Sequence, residues 1–206
     1  MRRLFALAAL VTVSLSATAF AQQRIEGTAF GSFVSLSGTN RVDNDVAFDF
    51  GSGVGGGVAL GVAFGKLDVE MSAFFLRGEG ELQYQGQRGV GLRHVDLIPI
   101  MLVASFHPLA GQTFDPWIGV GGAYVIGQNL HSDDLDATGI GVIDVESKLA
   151  FVANVGVAFQ LGPSVAFVLD GRYIPLKLDT APKTGGSSLE LELNPLVISG
   201  GFRVRF

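Results

Sequence analysis

Residues 189–206 read LELELNPLVISGGFRVRF, and this stretch decides the fold. Leu196, Ile198, Gly200, Phe202, Val204 and Phe206 share one face of an extended strand, while Ser199, Gly201, Arg203 and Arg205 share the other. Side chains alternate across a strand, so the segment is a ribbon with one apolar and one polar side. The apolar side carries rings at 202 and 206 and runs to the last residue. A soluble sandwich rarely ends a strand on an uncovered Phe. A strand facing lipid can, and a closed barrel must pair its last strand with its first.

Composition agrees. Among 206 residues there are 29 Gly, 16 Phe and no Cys; 48% are apolar and only 16% charged. That is greasier than an average soluble domain. Yet beyond the N-terminus no stretch approaches the roughly 20 apolar residues of a membrane helix. A soluble protein with a large core or a membrane barrel remains. The net charge of −5 argues against a nucleic-acid partner, which would want a basic face. Absence of cysteine excludes a disulfide framework and thiol chemistry.

The first residues give a location. Arg2 and Arg3 precede an apolar run, Leu4 to Val13, and Ala19-Phe20-Ala21 supplies a small-x-small cleavage pattern. Residues 1–21 read as a secretory signal peptide, leaving 22–206 as one exported barrel domain.

From Gln22 onward the period is two, and eight strands are expected. They fall near Arg24–Leu36, Gly51–Phe64, Lys66–Gly78, Val90–Phe106, Phe114–Gly127, Lys148–Gln160, Val165–Leu178 and the closing stretch. The sixth alternates most cleanly, with Leu149, Phe151, Ala153, Val155, Val157 and Phe159 against Lys148, Asn154, Gly156 and Gln160. Gly65-Lys66, His107 to Thr113 and Gly162 to Ser164 are short connections; Ser37 to Phe50, Gly78 to Gly89, Gln128 to Ser147 and Asp179 to Ser188 are longer and polar. Short turns on one side and long loops on the other describe an eight-stranded antiparallel up-and-down transmembrane β-barrel of the bacterial outer membrane, both termini periplasmic. A secreted β-sandwich shares the period but has shorter strands and a less apolar surface.

Three stretches carry a family pattern: Val95-Asp96-Leu97-Ile98-Pro99 leading to Phe106, the strand Phe114 to Tyr124 (FDPWIGVGGAY), and Leu193-Asn194-Pro195-Leu196 running into the terminal Gly-Phe-x-x-x-Phe. Together they resemble the OmpW family of outer-membrane barrels. The resemblance implies a narrow apolar passage for small hydrophobic molecules. It also implies that Phe202 and Phe206 form a signal read by the barrel-assembly machinery.

An eight-stranded barrel is only just wide enough inside for side chains or one small ligand. Gly55, Gly57, Ala59 and Gly61, with Gly119 and Gly121 beside Trp117, make two inner walls of small residues. They either leave a ligand-sized passage bordered by Trp117 or relieve crowding in a tight barrel. Asp68, Glu70, Asp170, Arg172, Arg203 and Arg205 point inward and would pair, because unpaired burial is costly; the expectation is a polar plug in the lower barrel. Pro99, Pro175 and Pro195 interrupt strands, and at 175 and 195 the apolar residues change frame, as a β-bulge would produce. The prolines mark either a lateral gap between the last two strands or curvature of the sheet alone.

Catalysis would need a nucleophile beside a base. Ser105 and His107 share a face at the short-turn end without an acidic neighbour in sequence, so no enzyme is expected. His94 and Asp96 read as a hydrogen-bonded lumen pair. The loop Leu130 to Asp136 lacks calcium-loop spacing, and no metal or cofactor is expected. Tyr84, Tyr124, Tyr173 and Trp117 are candidates for interface girdles. The expected function is passive uptake of small hydrophobic molecules with lateral exit, in contact with outer-membrane lipid. The alternative is a structural or surface-interaction barrel with a packed lumen and functional outer loops.

Overall fold

Strands with period-two faces and no capped helical segments leave the backbone one way to satisfy its hydrogen bonds in lipid, which is lateral pairing until the sheet closes. The computed structural model describes residues 23–36, 39–43, 46–84, 87–127, 143–145, 147–182 and 189–206. The expected signal peptide and the acidic 130–136 loop lie outside them. In chain order the strands are β1 (Gln23–Ser35), β2 (Thr39–Asp43), β3 (Val46–Phe64), β4 (Leu67–Tyr84), β5 (Gln87–Phe106) and β6 (Phe114–Gly127). There follow β7 (Ile143–Val145), β8 (Lys148–Gln160), β9 (Val165–Tyr173), β10 (Leu176–Pro182), β11 (Leu189–Leu193) and β12 (Leu196–Arg205).

β1 closes the barrel. It pairs antiparallel with β12 from Glu26↔Arg205 to Ser35↔Leu196, and with β3 from Gln23↔Phe64 to Ser35↔Ser52. Round the wall the order is β1, β3, β4, β5, β6, β8, β9, β12, a closed eight-stranded antiparallel barrel. β11, β10 and β7 form a small sheet in the same order as β12, β9 and β8, and continue those three strands at the end of the barrel away from the two-residue β3–β4 turn. The turn between β3 and β4 is two residues long, and Gly65 takes φ +65°, where glycine carries no Cβ penalty.

The expected long loops are partly strand: Ser37 to Phe50 holds β2 and the start of β3, Gln128 to Ser147 holds β7, and Asp179 to Ser188 begins with the end of β10. Residues Gly78 to Gly89 were expected to be a loop, but β4 and β5 run on and still pair at Tyr84↔Gln87. A sheet that rises above the bilayer meets water on its outer face and therefore loses the apolar alternation by which a strand is recognised. The outer surface below that level is apolar. Phe33, Val58, Leu60, Met71, Leu102, Ile118, Val155, Ile198 and Phe202 all stand exposed, as lipid-facing side chains do.

Candidate functional site

The interior has two layers, set by the chemistry of the inward position on each strand. Below lie Glu26 and Thr28 (β1), Asp68, Glu70 and Ser72 (β4), Asp115 and Trp117 (β6), Asn154 (β8), Asp170 and Arg172 (β9), and Ser199 and Arg203 (β12), all buried. Above them the same strands turn apolar. Ser72 gives way to Phe74, Asn154 to Val152, Arg172 to Ile174, and Ser199 to Val197. The result is a polar plug under an apolar collar.

Arg172 anchors the plug and is 2% exposed. Its Nε donates to Asp170 Oδ2 at 2.8 Å, Nη1 to Ser72 Oγ at 2.7 Å, and Nη2 to Glu70 Oε1 at 2.8 Å. The guanidinium also lies over the Phe30 and Phe74 rings, at 5.3 and 4.8 Å from their centroids. Arg203 bridges Glu26 at 3.0 Å and Glu70 at 3.6 Å, and Arg205 donates to Glu26 Oε1 at 2.7 Å. Glu70, Arg172, Arg203 and Arg205 thus meet across strands, and Asp170 joins them through Arg172 of its own strand. The expected pairing of Asp68 is not found: it is buried, and among the described residues its Oδ1 has no hydrogen-bond partner. A planar fork of donors suits such a task, whereas an ammonium would satisfy one partner at a time.

Trp117 belongs to the plug and does not border an open passage. It is 5% exposed, its Nε1 donates to Asn154 Oδ1 at 2.7 Å, and Asn154 Nδ2 donates on to Asp170 at 2.9 Å. The His107 ring stacks against it at 5.3 Å and the Arg203 guanidinium covers it at 5.1 Å. It is therefore no girdle residue. Tyr124 and Tyr173 do stand exposed on the outer face, and the Tyr84 side chain lies outside the described residues.

The small residues face inward as expected, but the space beside them is occupied. A Cβ at Gly57 would come within 2.8 Å of Phe74 Cγ, one at Gly55 within 2.8 Å of Leu76 Cδ2, and one at Gly119 within 2.9 Å of Val103 Cγ1. At Gly121 it would meet the Leu102 carbonyl, and at Gly61 it would lie 3.2 Å from Asp68 Oδ1. Ala59 is buried on the same wall. Glycine here admits large side chains from neighbouring strands, which is packing relief. Gly156, not singled out in the sequence, is a case of the same kind, because the Trp117 ring occupies its Cβ position. Gly156→Ala is expected to lower stability by about 1–3 kcal/mol through overpacking against a ring held on three sides. Urea unfolding followed by fluorescence of Trp117, the sole tryptophan, measures this.

The wall is not uniformly bonded. Between β8 and β9 the ladder ends at Ala153↔Tyr173, and between β7 and β10 it resumes at Val145↔Thr180 with the register slipped by one residue. Between those points Leu149 to Val152 pair with β6 on one side and, among the described residues, with no strand on the other. Ile174 N–H donates to the Pro195 carbonyl at 3.1 Å. Alternation then turns the nitrogen of Pro175 toward β8, where it has no hydrogen to give. The unbonded stretch is about 13 Å tall at a rise of about 3.3 Å per residue. It begins just above the Asn154–Arg172 level. Val152 and Ile174 close it from inside at 0% and 1% exposure, and Leu149 stands outside at 78%.

A family model described as the OmpW family matches residues 37–206. The chain belongs to the OmpW family. It is accordingly a bacterial outer-membrane protein. The outer membrane protein AlkL of Ectopseudomonas oleovorans is 28% identical over 134 residues, which are 62% of this chain and 56% of that protein. Among solved structures, OprG from Pseudomonas aeruginosa superposes with a TM-score of 0.73 at 18% identity, covering 89% of this chain and 95% of that one. AlkL in lipid bilayers superposes with a TM-score of 0.66 at 20% identity, covering 90% of each chain. At such identities the superpositions speak for the barrel fold.

Within this OmpW-family barrel the expected bulge at the prolines is corrected. β9–β12 and β10–β11 share one register, from Val204↔Val165 through Leu196↔Tyr173 to Leu176↔Leu193. The frame change at Pro175 and Pro195 is a change of lumen chemistry, from Arg172 to Ile174 and Leu176, with no change of facing. The last two wall strands are therefore continuous, and the unbonded stretch lies on the other side of β9. Pro99 also faces inward; it pairs with Val125 of β6, while the β4–β5 ladder skips from Ala73↔Ile100 to Leu76↔Leu97 around it.

Two other pairs differ from expectation. Asp96 lies on the outer face and forms a two-pronged ion pair with Arg77, 2.8 Å at each contact, while the His94 side chain lies outside the described residues. His107 does find an acid in space, since its Nδ1 is 3.0 Å from Asp115 Oδ1. That carboxylate is eight residues on and on the next strand, so spacing in sequence gave no warning. Among the described residues His107 Nε2 has no hydrogen-bond partner, so Ser105 is not held as a nucleophile against it. Phe202 and Phe206 both stand on the outer face, and Phe206 N–H donates to the Ile25 carbonyl at 3.0 Å, beside the β1–β12 closure.

Proposed function

We propose that this barrel takes small hydrophobic molecules from outside the cell and releases them sideways into the outer membrane. The observation that carries the reading is the position of the unbonded β8–β10 stretch, directly above the plug and level with the apolar collar. A solute descending past Leu76, Leu176 and Leu193 meets apolar side chains and then buried charge. Entering the plug would separate ion pairs in a poorly hydrated interior, at a cost of several kcal/mol. Moving Val152 and Ile174 aside breaks no backbone bond. The lateral route is the lower barrier, and it opens onto Leu149 and Phe151 in the lipid-facing belt. Phe206 would act earlier, as a contact for the barrel-assembly machinery.

A filled lumen with functional outer loops is the competing reading, favoured by the occupied space beside Gly55, Gly57 and Gly119. Entry of a small apolar dye and of a small sugar into liposomes carrying the refolded barrel separates the two. Dye entry without sugar entry is expected. Entry of both would mean a wet pore, and entry of neither would leave the loops as the working part.

The prolines give a sharper comparison. Pro175→Val supplies an N–H toward β8 and is expected to slow dye entry about five-fold, the equivalent of one backbone bond of ~1 kcal/mol. Pro195→Val adds a donor where the strands already pair and is expected to change entry little. Equal effects from both would remove the β8–β10 opening from the account.

A further inference from the structure

We propose that the outer wall at β4, β5 and β6 holds one acyl chain of an anionic phospholipid from the periplasmic leaflet. Ala104 is the small residue at the centre of this face. It pairs with Val69 of β4 and Val120 of β6, and the larger Leu67, Phe106 and Ile118 stand around it. Leu67, Ala104, Phe106, Ile118 and Val120, with the backbone beneath, line an open groove of about 290 Å³. The large ones are exposed, so the groove opens outward. In the lipid-facing belt no water is available to fill it, and an apolar chain is the occupant that restores the lost dispersion contacts.

The groove has a polar end. Leu67, in its wall, directly follows Lys66 in the two-residue turn on the periplasmic side, and His107 N–H closes that end by donating to the Lys66 carbonyl at 2.8 Å. Lys66 is exposed, whereas the acids nearest on the flanking strands, Asp68 and Asp115, point into the barrel and are buried. One cation therefore faces the headgroup layer at the mouth of an apolar groove. That combination fits a lipid with a negative headgroup. A basic residue at an anionic lipid surface is worth a preference of about five-fold over a zwitterionic headgroup.

The test uses the mature barrel in nanodiscs of equal dioleoyl-phosphatidylglycerol and dioleoyl-phosphatidylethanolamine, followed by mild extraction and native mass spectrometry. The wild type is expected to retain one phospholipid, with phosphatidylglycerol favoured about five-fold. Ala104→Phe fills the groove and is expected to lower occupancy about ten-fold. Ala29→Phe adds the same ring to the outer face of β1 and is expected to retain lipid as the wild type does. Lys66→Glu should keep a lipid while losing the headgroup preference. Retention by Ala104→Phe equal to the wild type would overturn the site, as would equal loss from Ala29→Phe. An unchanged preference in Lys66→Glu would overturn the headgroup assignment. Circular dichroism of each variant establishes that the barrel has folded.

Discussion

Arg172→Ala is expected to destabilise the barrel by about 3–5 kcal/mol, the largest stability effect of any single change in the plug. The substitution removes three charge-assisted donors at once and leaves Glu70 and Asp170 buried. Arg203 compensates Glu70 only at 3.6 Å, and Asp170 retains the neutral Asn154 amide. Two ring faces, Phe30 and Phe74, lose their cation as well. Urea unfolding in detergent or lipid reads the loss. Arg172→Lys should recover only part of it, since an ammonium cannot reach three acceptors in a plane. The triple variant Glu70→Gln, Asp170→Asn, Arg172→Met removes the charges together and is expected to return close to wild-type stability. A triple variant as unstable as Arg172→Ala would mean that packing volume, not uncompensated charge, sets the penalty.

The largest functional effect is expected from a disulfide across the unbonded wall. Extending the Ala153↔Tyr173 register places Phe151 opposite Pro175, both on the outer face. The chain has no cysteine, so Phe151→Cys with Pro175→Cys introduces one possible bridge and no competing pairing. A disulfide requires Cβ atoms about 3.8 Å apart, closer than the 4.5–5.5 Å usual for opposed strand residues, so the bond holds β8 against β10. Oxidation is expected to cut apolar dye entry at least about ten-fold, and reduction to restore it. Val155→Cys with Gly171→Cys bridges two positions that already pair and is the control, with no change expected. Dye entry indifferent to oxidation of the first pair would exclude lateral exit at this place and return attention to the outer loops.

These results would bear on features of unequal legibility. Alternation in Leu196–Phe206 fixes which side chains face lipid, because a strand has only two faces and Phe202 cannot share one with Arg203. The same rule placed Asp68, Glu70, Asp170 and Arg172 inside without reference to any other strand. It could not say which of them touch. Arg172 and Glu70 lie 102 residues apart, and their 2.8 Å contact exists only because β4 and β9 look at one another across the closed barrel. The prolines mark the same limit more sharply. Sequence shows apolar residues shifting from odd to even positions at Pro175, and a bulge and a reversal of lumen polarity write the same pattern there. Pairing alone separates them, and pairing is a property of two strands. The sequence by itself determined the membrane barrel, its lipid face and its charged interior, since each follows from residue type and a period of two. Tertiary structure alone decided the stacking of plug beneath collar, the filling of the glycine spaces by Phe74, Leu76 and Trp117, and the break between β8 and β10. Those depend on closure, which sets the height at which every inward side chain meets the ones across the lumen.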